Sequence, residues 1–172
     1  MYSAANGEVF PLYVGSWQSL SRWGTEAATI DAGASDQHAV VVGNSCTVEG
    51  LTLKSTYSGG AYLVYLDGNN SLVRDNDRLR GNRVYVFFTN GSSNAVRDNR
   101  VTATGSGSQC FYVNNSGSQI TGNSIKCGSG SDGIVFDDRV GSGTLSGNTV
   151  EGSGSRLVRH YGADNVVIEG NV

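Results

Sequence analysis

The residues with most chemistry to offer are two adjacent carboxylates close to arginine and histidine. Asp137, Asp138 and Arg139 stand together, Asp132 lies just upstream, and Arg159, His160 and Tyr161 follow downstream. Two close carboxylates push each other's pKa values apart, so one can act as acid while the other acts as base. On that reading Asp137 or Asp138 is the acid/base residue, and Arg159 and His160 are its catalytic partners. Asn114, Asn115, Asp132, Arg139 and Tyr161 then line a substrate-binding surface around them. The plainer reading makes these turn and surface residues joined by salt bridges, worth ~0–1 kcal/mol each where exposed. Adjacent side chains on a strand point to opposite faces, so Asp137 and Asp138 share a site only at a turn.

Only a repeating architecture brings these stretches together. A hexad of the form apolar-x-Gly/Asp-Asn-x-apolar begins at Val96, Ile120 and Leu145, is cut short after Asn171 and Val172, and has looser copies at Val73 and Val48. The position held by Asn falls at 51, 76, 99, 123, 148 and 171, steps of 23 to 25 residues. Six copies at a steady period mark a repeat protein. The first and sixth hexad positions are apolar and face inward. The second holds Glu49, Arg74, Arg97, Thr121, Ser146 and Glu169 and faces water. Gly or Asp followed by Asn suits a sharp turn with positive φ. If each repeat is one coil, successive Asn side chains lie ~4.8 Å apart and can hydrogen-bond as a ladder. Coil one carries Leu51 in the Asn position, so the ladder should start at the second coil.

An apolar strand precedes each hexad: residues 39–42, 62–66, 84–88, 110–113, 134–136 and 157–158. Within these strands Tyr65, Phe88, Tyr112 and Phe136 recur at one position, with Tyr62, Tyr85, Phe87 and Phe111 nearby. Alternation sends one subset to the core and exposes the other, and an exposed strip would suit sugar rings or a partner molecule. Leucine-rich repeats share the period but need an apolar residue two places before the hexad. Here that place holds Cys46, Ser71, Asn94, Ser118, Gly143 and Val166, and the linkers are too rich in Gly and Ser for helices.

The hexads and Gly-Asn turns resemble those of right-handed parallel β-helix proteins, the pectate-lyase-like group, over about residues 28 to 172. The resemblance implies an all-β chain: a single-stranded right-handed parallel β-helix of six to seven coils with an N-terminal cap. Residues 1–36 form the cap and first partial coil, and 37–172 the repeats, a rod roughly 30 Å long. Trp17, Leu20 and Trp23, at helical spacing, are expected to cover the open end. Carbohydrate is the ligand class the resemblance implies, with polysaccharide lyase or glycoside hydrolase as the corresponding activity. The Gly-His-Gly and Arg-x-Lys elements of polygalacturonase-type hydrolases are missing, which weighs against that hydrolysis. A calcium-dependent lyase needs several carboxylates converging on the ion plus an Arg or Lys base. Asp137, Asp138 and Arg159 make a minimal version of that set, but coil four offers only Asn there, so no cofactor is expected, with calcium the alternative. The competing expectation is a non-catalytic structural module that self-associates through its open C-terminal coil or a flat sheet.

Composition narrows the rest. The 172 residues carry 25 Gly but only 1 Pro, 38% apolar residues and a net charge of -3, a composition of short strands joined by tight turns. The basic residues are scattered except for Arg74, Arg78, Arg80 and Arg83, which are interleaved with Asp75 and Asp77, so nucleic acid is not the expected partner. No apolar run approaches the ~20 residues of a membrane span. The first residues lack signal-peptide character: either a signal was removed, which favours an extracellular or cell-surface location, or the protein stays inside the cell. Cys46, Cys110 and Cys127 show no metal-ligand spacing and read as buried small hydrophobes.

Overall fold

The computed structural model describes residues 1–172 except 26–27, 58, 78, 82–85, 104, 106, 108, 138 and 153–155. Arg78, Arg83, Tyr85 and Asp138 therefore lie outside the described residues. The chain winds as a parallel β-solenoid whose coils each contribute one short strand to three seven-stranded sheets. Sheet B contains Leu12–Val14, Val40–Val42, Val64–Leu66, Phe87–Thr89, Gln109–Val113, Asp132–Phe136 and Arg156–His160. Sheet C carries the first half of each hexad, as in Ser118–Thr121, and sheet A the second half, as in Ser124–Lys126.

Strands this short cannot bury a face alone; stacking in register does it for them. Phe87 pairs with Val64 on one side and Phe111 on the other, and every coil repeats that register. The inward columns are consequently continuous: Val40, Val64, Phe87, Phe111 and Ile134 in sheet B, and Val48, Val73, Val96, Ile120 and Leu145 in sheet C, all buried. Phe87 and Phe111 stack with centroids 4.7 Å apart.

The hexad turn forms as its residue types require. Gly50, Asp75, Asp98, Gly122, Gly147 and Gly170, the residue before each Asn position, all have positive φ. This places the following Asn side chain inside the coil, where its amide has two donors and an acceptor oxygen to satisfy. Each Nδ2 donates to the Oδ1 one coil on: Asn76 to Asn99 (2.9 Å), Asn99 to Asn123 (3.1 Å), Asn123 to Asn148 (2.9 Å) and Asn148 to Asn171 (2.9 Å). The ladder begins at Asn76, whose Oδ1 accepts the backbone N–H of Leu51 at 3.0 Å.

A second polar seam runs along the corner between sheets B and C. The Ser71 hydroxyl accepts the Cys46 amide (3.0 Å), and Asn94 Oδ1 accepts the Ser71 amide (2.8 Å). Asn94 returns its Nδ2 to the carbonyls of Gly68 and Gly91. Coil backbones approach so closely there that a methyl group at Gly68 would overlap the Gly43 carbonyl, and one at Gly91 the Gly68 carbonyl.

The N-terminal segment departs from expectation. Residues 12–31 form a coil of their own, with strands Leu12–Val14, Ser19–Ser21 and Ala28–Asp31 in the three sheets. Leu20 faces inward in register with Val48, but Trp17 and Trp23 are 82% and 96% exposed. Trp17 occupies a left-handed turn (φ 68°), a geometry that interrupts a helix. The helical spacing of the three residues is thus a coincidence of one inward strand residue between two corner residues.

Candidate functional site

Alternation along sheet B decides which aromatic residues face out. In Phe87–Thr89, Phe87 and Thr89 are buried, so Phe88 between them points to the outside. In register with Phe88 lie Tyr65 and Tyr112, and further along the rod Val135 and Arg159. Phe88 stacks on Tyr112 at 5.4 Å and lies 5.4 Å from Tyr65. Tyr62 and His38 extend the cluster: Tyr62 stacks on Phe88 at 4.6 Å and His38 on Tyr62 at 5.0 Å. All five rings are half-buried, covering one another while leaving ring surface to solvent. Burial lowers the pKa of His38 below the ordinary imidazole value, and its Nδ1 accepts the Tyr62 N–H at 3.0 Å.

A polar column flanks this strip one position beyond the strand ends: Asp67, Asn90, Asn114 and Asp137. Asn90 Nδ2 donates to Asp67 Oδ1 at 3.2 Å, and Asn114 Nδ2 donates to Asn90 Oδ1 at 3.3 Å. The Asn115 amide reaches the Asn90 carbonyl at 2.9 Å. The two columns are linked. Tyr65 has its phenol pKa raised, first by burial and then by the charge and hydrogen bond of Asp67, and the Tyr112 hydroxyl donates to Asp137 Oδ2.

At the C-terminal end the face becomes ionic. Asp137 is bound by its neighbour Arg139, whose Nε lies 3.0 Å from Oδ1. Asp132, at the start of the strand that Asp137 follows, is met by Arg159 at 3.1 Å and by Arg156 at 3.8 Å. The Arg159 guanidinium also sits 4.5 Å over the Tyr161 ring, a cation–π arrangement.

The expected acid/base constellation is therefore divided. Arg159 serves Asp132 and not Asp137, because its strand position aligns with Val135, from which its long side chain reaches diagonally to Asp132. His160 aligns with Phe136, one residue along the strand from Arg159, but is itself exposed, and its Nδ1 accepts the Gly162 amide at 3.2 Å. Asp138 lies outside the described residues. Among the described residues no group of three or more His, Cys, Asp or Glu converges to hold a metal ion. Asn114, Asn115, Asp132, Arg139 and Tyr161 all lie along the sheet B side of the rod. His38, Asp67 and Asn90 join them there without having been singled out in the sequence. Asp67 and Asn90 were marked only by recurrence just after a strand, a signal shared with ordinary turn residues.

A continuous three-sheet parallel coil with a stacked internal amide ladder defines a β-helix. Residues 23–172 match the model of a protein family described as a right-handed β-helix region, and the chain belongs to that family. Searches of curated proteins and of solved structures found no match.

Proposed function

We propose that the outer face of sheet B binds a polysaccharide laid along the rod. Tyr65, Phe88 and Tyr112, whose faces are stacked on neighbouring rings, present their exposed edges to the apolar faces of sugar rings, and Asp67, Asn90, Asn114 and Asp137 take their hydroxyls. The observation that carries this reading is the pairing of the two columns: a partly exposed aromatic strip over three successive coils beside a line of amides and carboxylates over four. Exposed aromatic surface is unfavourable in water unless something covers it, and amphipathic rings are suited to surfaces that are part apolar and part wet. The β-helix fold is hospitable to carbohydrate ligands but does not by itself assign one.

Binding is favoured over processing by how the carboxylates are used. Asp137 already receives Arg139 and the Tyr112 hydroxyl, and Asp132 receives Arg159 and Arg156. Held in that way they orient a ligand's hydroxyls and set the edge of the face.

The test is affinity electrophoresis and calorimetry against a panel of neutral and acidic polysaccharides, with a reducing-end assay run beside it for cleavage. Wild type should be retarded by at least one polysaccharide. Phe88→Ala and Tyr112→Ala should each weaken binding about tenfold, equivalent to about 1.4 kcal/mol, with unchanged far-UV circular dichroism. Retention that survives both substitutions, or no binding across the panel, refutes the proposal.

A second reading, self-association, draws on different residues. Arg156–His160 and Val166–Glu169 are edge strands of their sheets, with Leu157, Val167 and Ile168 exposed at 37%, 51% and 49%. Edge strands with unpaired backbone groups invite pairing with another chain. Light scattering over a concentration series tests this; a constant monomer mass rejects it.

A further inference from the structure

We propose that Cys110 and Cys127 are a disulfide-forming pair that ties the beginning of one coil of the solenoid to its end. Their sulfurs lie 2.8 Å apart, both buried, at the corner where sheet A passes into sheet B. Cys110 belongs to the sheet B strand Gln109–Val113, and Cys127 directly follows the sheet A strand Ser124–Lys126 of the same coil. The chain has passed through all three sheets between them, 17 residues and most of one turn, so a bond here closes the coil into a ring. Contact this close means that bond formation asks for little movement of either backbone, since a disulfide brings its sulfurs to ~2.05 Å.

The third cysteine is disposed differently. Cys46 Sγ lies at the corner between sheets B and C and donates to backbone carbonyls, 3.0 Å from that of Gly15 and 3.3 Å from that of Asn44. It has satisfied contacts of its own and no neighbouring thiol, which accounts for the odd cysteine count.

The two thiols divide the chemistry. The hydrogen bond from Cys110 favours the Cys127 thiolate and lowers the Cys127 pKa, while the same bond and burial push Cys110 well above its ordinary value. Cys127 is also the more accessible of the two, 6% exposed against 0%. The oxidant is a small disulfide such as oxidised glutathione. The Cys127 thiolate attacks one of its sulfurs, the oxidant's S–S bond breaks, and one thiolate leaves and takes up a proton. Cys110 then loses its proton and attacks Cys127 Sγ, expelling the second thiol. Two protein thiols become one disulfide, and the oxidant becomes two thiols.

Full-length protein is incubated natively in a glutathione redox buffer, and in parallel refolded from urea in the same buffer so that burial cannot block access. It is then alkylated under denaturing, non-reducing conditions and analysed by intact mass and peptide mapping. Wild type should take up three alkyl groups before oxidation and one afterwards, on Cys46, with a Cys110–Cys127 cross-linked peptide. Cys46→Ala should go from two groups to none. The oxidised wild type should melt several degrees higher, because the cross-link restricts the unfolded chain. Three free thiols after refolding, a persistent glutathione adduct on Cys127, or a bridge involving Cys46 each overturns the proposal.

Discussion

Replacing Asn123 with alanine removes the middle rung of the internal ladder, and its cost can be worked out from the contacts. Asn123 is 1% exposed. Its Oδ1 accepts the backbone N–H and the Nδ2 of Asn99, at 3.0 and 3.1 Å. Its Nδ2 donates to the carbonyls of Val96 and Thr121 and to Asn148 Oδ1, at 2.9, 3.1 and 2.9 Å. A typical intramolecular hydrogen bond contributes about 1 kcal/mol net, and a buried group stripped of its partner costs more. The two Nδ2 protons are shared among three acceptors, so about four bonds are lost, which predicts destabilisation of about 4 kcal/mol, roughly a quarter or more of the stability of an ordinary domain. Asn171 is the internal control. It makes the same type of contacts with Asn148, Leu145 and Glu169, but it is only half-buried and water can replace what is lost, so Asn171→Ala should cost about 1–2 kcal/mol. Guanidinium denaturation followed by circular dichroism reads both, with the slope checked for constancy because coils of a solenoid can unfold separately. Equal losses for the two variants would refute the reasoning, since burial of the rung would then have no bearing on its contribution.

Two further outcomes follow from the backbone and from the aromatic strip. Gly68→Ala should be strongly destabilising because its methyl would overlap backbone of the adjoining coil, whereas Gly60→Ala, which meets nothing within 4 Å, should be neutral; thermal melts of the pair check this. His38 has a folded pKa below its ordinary value, so the unfolded chain takes up the proton first as pH falls. Its contribution to stability is complete above the ordinary imidazole value and is lost as pH falls through that value towards the lowered folded one. Protonation also removes the acceptor used by Tyr62. The melting temperature of wild type should fall more steeply than that of His38→Gln between roughly pH 7 and 5, and parallel curves would contradict it.

The repeat was legible because each hexad is decided locally: an inward apolar residue, a residue able to take positive φ, and an Asn with nowhere to go but the interior. Those positions, from Gly50 to Asn171, land where the spacing places them. The outer strip was legible only as a choice between faces. Nothing in the neighbouring letters of Phe87 and Phe88 says which is inside; the register with Val64 and Phe111 decides it. The polar residues Ser71 and Asn94, which exclude a leucine-rich repeat, were also the trace of a second internal seam. Arg159 and His160 resisted prediction because partners in a solenoid are set by stacking between coils. Arg159 aligns with Val135 and reaches Asp132, whereas His160, one residue on, aligns with Phe136.

Because every coil follows the last in the same sense, the solenoid has no two-fold axis across its sheets, and the two ends of the outer face differ. One end presents Tyr13, 75% exposed, and leads into the rings of Tyr65, Phe88 and Tyr112; the other presents Arg159, Tyr161 and the carboxylates they adjoin. Such a surface has a head and a tail. On the proposed reading, a linear ligand whose own ends are unlike would meet a different order of groups when reversed, so the rod would distinguish not only what lies along it but which way round it lies.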